Sequence, residues 1–126
     1  MAFKGQPIST TQVPVTRAKI SDGKSVTLKV PTGKTVEAQK FYLINGFFGV
    51  AMQNGNEGDE IVLQIEQAEY ETDNIVTSEA FTLGEKIYWD DAESKFTTTA
   101  NDRLVGRVTD PKDSNNTIWF ILLPQQ

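Results

Sequence analysis

The chain contains neither cysteine nor histidine. Thiolate catalysis, Ser-His-Asp and Cys-His nucleophile pairs, haem ligation and the common zinc sites each lose an obligatory partner. No metal or cofactor is therefore expected, and no catalytic residue is assigned. Acid–base work would fall to Asp, Glu, Lys and Tyr, so an enzyme built on this sequence would be a carboxylate-pair or lysine type. The 126 residues need no disulfide framework, because a chain of this length buries roughly two thirds of the surface its unfolded form exposes. A run of eighteen apolar residues is also missing, and Met1 to Thr16 has no apolar block behind Lys4. Neither a spanning helix nor an export signal is expected, and a membrane partner is not either.

Basic residues are in short supply, 12 against 17 acidic ones for a net charge of −5. The deficit is uneven. Residues 1–40 carry seven basic side chains (Lys4, Arg17, Lys19, Lys24, Lys29, Lys34, Lys40) against Asp22 and Glu37, or +5; residues 41–126 carry five against fifteen acidic ones, or −10. Opposite charge brings the basic N-terminal segment onto an acidic body, its own or a neighbour's. A body at −10 repels phosphates, so nucleic acid is not an expected partner.

The dominant hydrophobic period is two. Val26, Leu28 and Val30 alternate with Thr27 and Lys29, and Ile61, Leu63 and Ile65 alternate with Val62, Gln64 and Glu66, which is the pattern of half-buried strands. Phe47–Met52, Lys86–Trp89, Arg103–Thr109 and Thr117–Leu123 are β-branched or aromatic runs bounded by turn residues. Ile118 to Leu123 is apolar on both parities, so a central strand covered on both faces, by the core or by a subunit contact, is expected there. Asn45-Gly46 between Phe41–Ile44 and Phe47–Val50 is a hairpin signal, since a type I′ turn needs two residues tolerant of positive φ. Only Glu66–Thr72 and Thr77–Phe81 leave room for a helical turn. The expected fold is all-β, a small sandwich or barrel of about seven to nine mostly antiparallel strands. One domain is expected over residues 13–126, preceded by an extended arm over residues 1–12.

Several motifs fail on inspection. Gly23-Lys24-Ser25 and Gly33-Lys34-Thr35 imitate the end of a phosphate-binding loop, but Ala18 and Leu28 stand where that loop requires glycine. The groups Glu57, Asp59, Glu60 and Asp90, Asp91, Glu93 lack the alternating ligand spacing of a calcium loop. Trp89 and Trp119, with Tyr42, Tyr70 and Tyr88, form a sugar-stacking platform only if they share an exposed face; otherwise they belong to the core or a subunit interface. A small-molecule ligand is not expected.

The ordered blocks Phe41–Ala51, Gly58-Asp59-Glu60-Ile61, Thr82–Asp90, Lys95-Phe96-Thr97 and Leu104–Val108 resemble the capsid decoration (cement) proteins of tailed bacteriophages. The shared features are a Gly-Val-Ala strand, a strand ending in Tyr-Trp-Asp, a threonine-bearing return strand and an apolar C-terminal strand, across about residues 36–123. The resemblance implies a small β domain on the outer surface of an icosahedral capsid, commonly a homotrimer. It further implies bridging of neighbouring major capsid proteins, stabilisation of the mature head, and synthesis in the bacterial host cytoplasm. Within the arm, Phe3, Pro7 and Ile8 are the candidate anchors on a capsid subunit or adjacent protomer, with Lys4 supplying charge attraction. Two other functions remain open. One is a carbohydrate- or receptor-binding module of a head fibre; the other is a hydrolase bringing two of Glu66, Glu69, Glu79 and Asp90 to roughly 5–10 Å.

Overall fold

The computed structural model describes residues 18–126. Within them lie eleven strands and no helix: β1 Ser25–Lys29, β2 Thr35–Val36, β3 Phe41–Ile44, β4 Phe47–Ala51, β5 Gly55–Asn56, β6 Glu60–Gln64, β7 Glu69–Thr72, β8 Lys86–Asp90, β9 Lys95–Thr97, β10 Arg103–Asp110 and β11 Ile118–Leu122. They form a five-stranded sheet in the order β9-β8-β10-β11-β7, a four-stranded sheet β1-β6-β4-β3, and a short ribbon β2-β5, with every strand pair antiparallel. The two-residue ribbon strands take the total above the nine that the alternation suggests, because two residues are too few to show a period.

The five-stranded sheet closes on itself. After β7 the chain runs to Ile75, which bridges Phe96 of β9 in parallel. The Val76 amide donates to the Phe96 carbonyl at 3.0 Å, and the Phe96 amide donates to the Asn74 carbonyl at 3.0 Å. Two bulges in β10, at Leu104/Gly106 against β8 and at Val108/Asp110 against β11, add the local bend and twist that closure requires. The result is a small barrel, and the four-stranded sheet packs one face on its core through Phe41, Leu43 and Phe48.

The Asn45-Gly46 hairpin forms as its sequence requires. Asn45 and Gly46 both have positive φ, 50° and 86°, and Ile44 pairs Phe47 across the turn. The hairpin delivers Phe48 into the barrel core, where it meets Trp89 and Phe96 with ring centroids 5.1 and 5.8 Å away. That core gathers Phe48, Ile75, Phe81, Ile87, Trp89, Phe96, Val105, Val108, Ile118, Phe120 and Leu122. A smaller cluster of Val30, Val36, Ile44, Ala51 and Ile61 lies on the far side of the four-stranded sheet.

The two segments that left room for a helical turn hold none. Glu66–Thr72 holds no helical turn: Glu69–Thr72 is β7, paired to β11 from Thr72↔Ile118 to Glu69↔Ile121. Tyr70 turns inward onto Phe41 and Phe120, so packing overrides the weak strand preference of glutamate. Thr77–Phe81 is also non-helical; it holds a single turn in which the Glu79 amide donates to the Val76 carbonyl at 3.1 Å. The C-terminal strand is central in pairing, between β10 and β7, but only one of its faces is covered within the chain. Ile118, Phe120 and Leu122 are buried, whereas Trp119 is 45% exposed, because its side chain points away from the barrel interior.

Candidate functional site

The aromatic residues do not converge. Trp89 is fully buried, with its indole N–H donated to Asp91 Oδ1 at 3.0 Å. Tyr42 accepts the Glu37 amide through its hydroxyl at 2.9 Å. Tyr70 donates its hydroxyl to the Glu66 carbonyl at 3.1 Å; burial, and then the Glu66 charge, raise its pKa. Trp119 alone keeps a large exposed area, so no stacking platform forms among the described residues.

The four candidate carboxylates are each committed to a different local task. Glu66 faces Lys24 at 3.7 Å and Gln64 at 3.1 Å. Glu69 accepts the Thr109 hydroxyl at 2.6 Å. Asp90 accepts the amides of Ala92 and Glu93 in the β8–β9 turn. Glu79 accepts the hydroxyl of Thr97 at 2.8 Å and the Thr98 amide at 2.7 Å, with the Thr98 and Thr99 hydroxyls at 3.1 Å. Burial is the largest single influence on Glu79 and raises its pKa, but these four donors together outweigh it and hold the carboxyl below its ordinary range.

A pH dependence follows from the direction of that shift. With the folded pKa depressed, the stabilisation is complete above the ordinary glutamate pKa and is lost as pH falls through the lower folded value. Glu79→Ala is expected to lower stability by about 1–3 kcal/mol at neutral pH, and the difference from the parent chain should shrink below about pH 4. Denaturant titrations of both chains at pH 7 and pH 3 check this; a difference independent of pH would contradict it.

The remaining motifs resolve into turn chemistry. Gly33, in the second Gly-Lys-Thr triplet, gives its amide to Glu57 Oε1 at 2.7 Å, so a carboxylate stands where a phosphate would have to bind. Asp59 Oδ2 accepts the Asn56 amide at 2.8 Å. Among the described residues no group of three or more acidic side chains is placed to hold a metal ion.

Two surface features are left that no structural task absorbs. The first is the outer face of the five-stranded sheet. Register sets Lys86 opposite Arg107, Arg107 opposite Ile121, and Ile121 opposite Glu69; the next row sets Trp119 opposite Glu71. Ile121 is thus flanked by Arg107 and Lys86 on one side and Glu69 on the other, whereas Trp119 has acidic neighbours on both sides, Asp110 and Glu71. Glu71 accepts the Trp119 indole N–H at 2.9 Å, which fixes the ring on the surface. Leu83, 69% exposed, lies at the basic end, since Arg107 donates to the neighbouring Gly84 carbonyl at 2.8 Å. The sequence signal for this face was the second apolar parity of Ile118–Leu123. The second feature is a groove of about 660 Å³ between β3 and the end of β7, continued along β3 by a hollow of about 320 Å³. The candidate arm residues Phe3, Lys4, Pro7 and Ile8 lie outside the described residues.

The phage cement protein family matches residues 20–125. The chain belongs to that family. As a phage cement protein it is a structural component of the virion that decorates the capsid. No curated protein matches it in sequence. Among solved structures, the chain is similar to the N-terminal base of the head fibre protein gp8.5 of bacteriophage phi29, at 10% identity and a TM-score of 0.44, over 79% of this chain and 94% of that one.

Proposed function

We propose that this cement protein sits on the outer surface of the capsid and bridges neighbouring major capsid proteins, acting as a homotrimer and by binding alone, without catalysis. One β domain over residues 13–126 supplies the rigid body. The observation that carries the reading is the outer face of the five-stranded sheet. Trp119 and Ile121 form a half-exposed apolar stripe with a charged rim: Arg107 and Lys86 on one side of Ile121 and Glu69 on the other, and Asp110 and Glu71 beside Trp119. A pinned tryptophan with charged rims is the composition of a protein-binding surface, with an aromatic anchor that gives affinity and rim charges that set orientation. The separate local engagements of Glu66, Glu69, Glu79 and Asp90 support a role in binding. Residues 1–12 add a second anchor through Phe3, Pro7 and Ile8, with Lys4 guiding the approach.

The test mixes the purified chain with undecorated shells and follows occupancy together with resistance of the shells to heat. Trp119→Ala is expected to weaken attachment at least tenfold, consistent with the ~2 kcal/mol or more lost on truncating an interface anchor, while circular dichroism stays that of the parent. Phe3→Ala/Ile8→Ala should lower occupancy independently. Full occupancy by the Trp119 variant would remove this face from the interface.

A further inference from the structure

With the five-stranded sheet closed, the described strands leave the edges of the four-stranded sheet, β1 and β3, as its principal open ones. The two are protected very differently. β1 carries Lys29 and is preceded by Lys24, and charged residues of this kind discourage further pairing. β3 is Phe41-Tyr42-Leu43-Ile44, with no charge at all. In the β3–β4 hairpin, the Ile44–Phe47 pair next to the two-residue turn exchanges backbone bonds, so the pattern alternates to Tyr42 and leaves the amides and carbonyls of Phe41 and Leu43 facing away from β4. Those groups take no hydrogen-bond partner among the described residues. Phe41 lines the groove of about 660 Å³ whose far wall is the end of β7 and the β8–β9 turn, and Leu43 lines its continuation of about 320 Å³, so the strand edge runs along both.

The slot is acidic. Glu37, Glu71, Asp73 and Glu93 line it against Lys40 alone. Residues 1–17, by contrast, carry Lys4 and Arg17 and no acidic side chain. From this complementarity we propose that residues 1–12 of one copy add a strand to β3 of the next copy, filling its groove and linking copies head to tail. The inference rests on the reading of Phe3, Lys4, Pro7 and Ile8 as an anchoring arm, and it specifies the surface that receives them. Backbone pairing to Phe41 and Leu43 supplies affinity that does not depend on side-chain identity, and the acidic walls favour Lys4 over a neutral residue.

Charge complementarity between the acidic slot and the basic N-terminal segment carries the choice of occupant, and the row of strands sets the scale that a link between copies must span. Ser25, Gln64, Val50 and Phe41 lie in one row across the four-stranded sheet. The chain therefore enters β1 on the edge opposite β3, about 14 Å across at ordinary strand spacing. A heterologous contact of this kind closes into a ring when the rotation between copies permits.

A photo-crosslinking phenylalanine analogue at Phe3 of the full-length chain tests this directly, using isotopically heavy and light copies mixed in solution and on shells. Mass mapping should find heavy–light crosslinks from position 3 to Phe41–Ile44 or Glu71–Asn74. Crosslinks within a single copy, or between copies at other surfaces, overturn the proposal. Crosslinks to a capsid subunit without any between copies overturn it too, while leaving the arm as an anchor; no crosslinks from position 3 in either setting end both readings. A second measurement uses Asp73→Lys/Glu93→Lys, whose side chains are exposed and accept no hydrogen bond among the described residues. Self-association followed by sedimentation should weaken at least tenfold and recover when Lys4→Glu is added. Unchanged self-association overturns the proposal.

Discussion

Phe96→Ala is expected to lower stability by about 3–5 kcal/mol, at the severe end for a core truncation. Phe96 is fully buried and its ring is the hub of the barrel, with centroids of Phe120, Trp89, Phe41 and Phe48 at 4.9, 5.1, 5.2 and 5.8 Å. Removing it strands four aromatic neighbours around a void, and they cannot collapse together because each is fixed on a different strand. The backbone bonds by which Phe96 closes the barrel survive in the alanine variant, so the loss measures the side chain. Phe96→Leu, which keeps most of the volume, should cost about half as much or less. Thermal unfolding checks both, with an expected fall of about 10–20 °C for alanine; a fall of only a few degrees would show that the hub repacks.

Gly49→Ala is expected to disrupt the four-stranded sheet itself. A Cβ at this position would sit 2.2 Å from the Gln64 carbonyl oxygen and 2.9 Å from its carbon. Both are backbone atoms, so no rotamer change relieves the overlap, and β4 and β6 must part where Val50 pairs Gln64. The cost should reach or exceed the upper end of the ~1–3 kcal/mol typical of overpacking. It should also show as faster hydrogen exchange at the amides of β4 and β6. Gly23→Asn is the comparison, since Gly23 has φ 69° with nothing within 4 Å of a built Cβ and asparagine tolerates that conformation. Equal losses for the two variants would mean that Gly49 is retained for its flexibility and not for the close approach of two chains.

Much of this architecture was legible before coordinates, wherever local chemistry decides. Asn45-Gly46 specified its hairpin because two positive φ values admit few other residue pairs. Val26–Val30 and Ile61–Ile65 specified half-buried strands because one face of each meets a core. What stayed hidden depends on distant partners. The bridge of Ile75 to Phe96 has no local signal: Asp73-Asn74 reads as a turn, and one isoleucine has no period. β7 was masked by its two glutamates, whose side chains simply point outward from a strand held by β11. The candidate carboxylates looked available for chemistry because sequence gives no hint that Glu79 is bound by Thr97, Thr98 and Thr99. The acidic groove was hidden as well, because it needed the fold to bring Glu37, Glu71, Asp73 and Glu93 around one hollow.

Closure of the barrel through Asn74–Val76 has a colloidal consequence. A sheet whose two margins are drawn together at Ile75 and Phe96 gives like molecules a poorer template for fibril growth than a flat open one, so crowding copies together should seed little amyloid through their largest sheet. Among the described residues the four-stranded sheet keeps two short edges, β1 with its lysine and four-residue β3, both too short to sustain runaway polymerisation. Resistance to clumping is therefore wired into chain connectivity, and it should persist in concentrated salt, where the repulsion between negatively charged particles no longer acts.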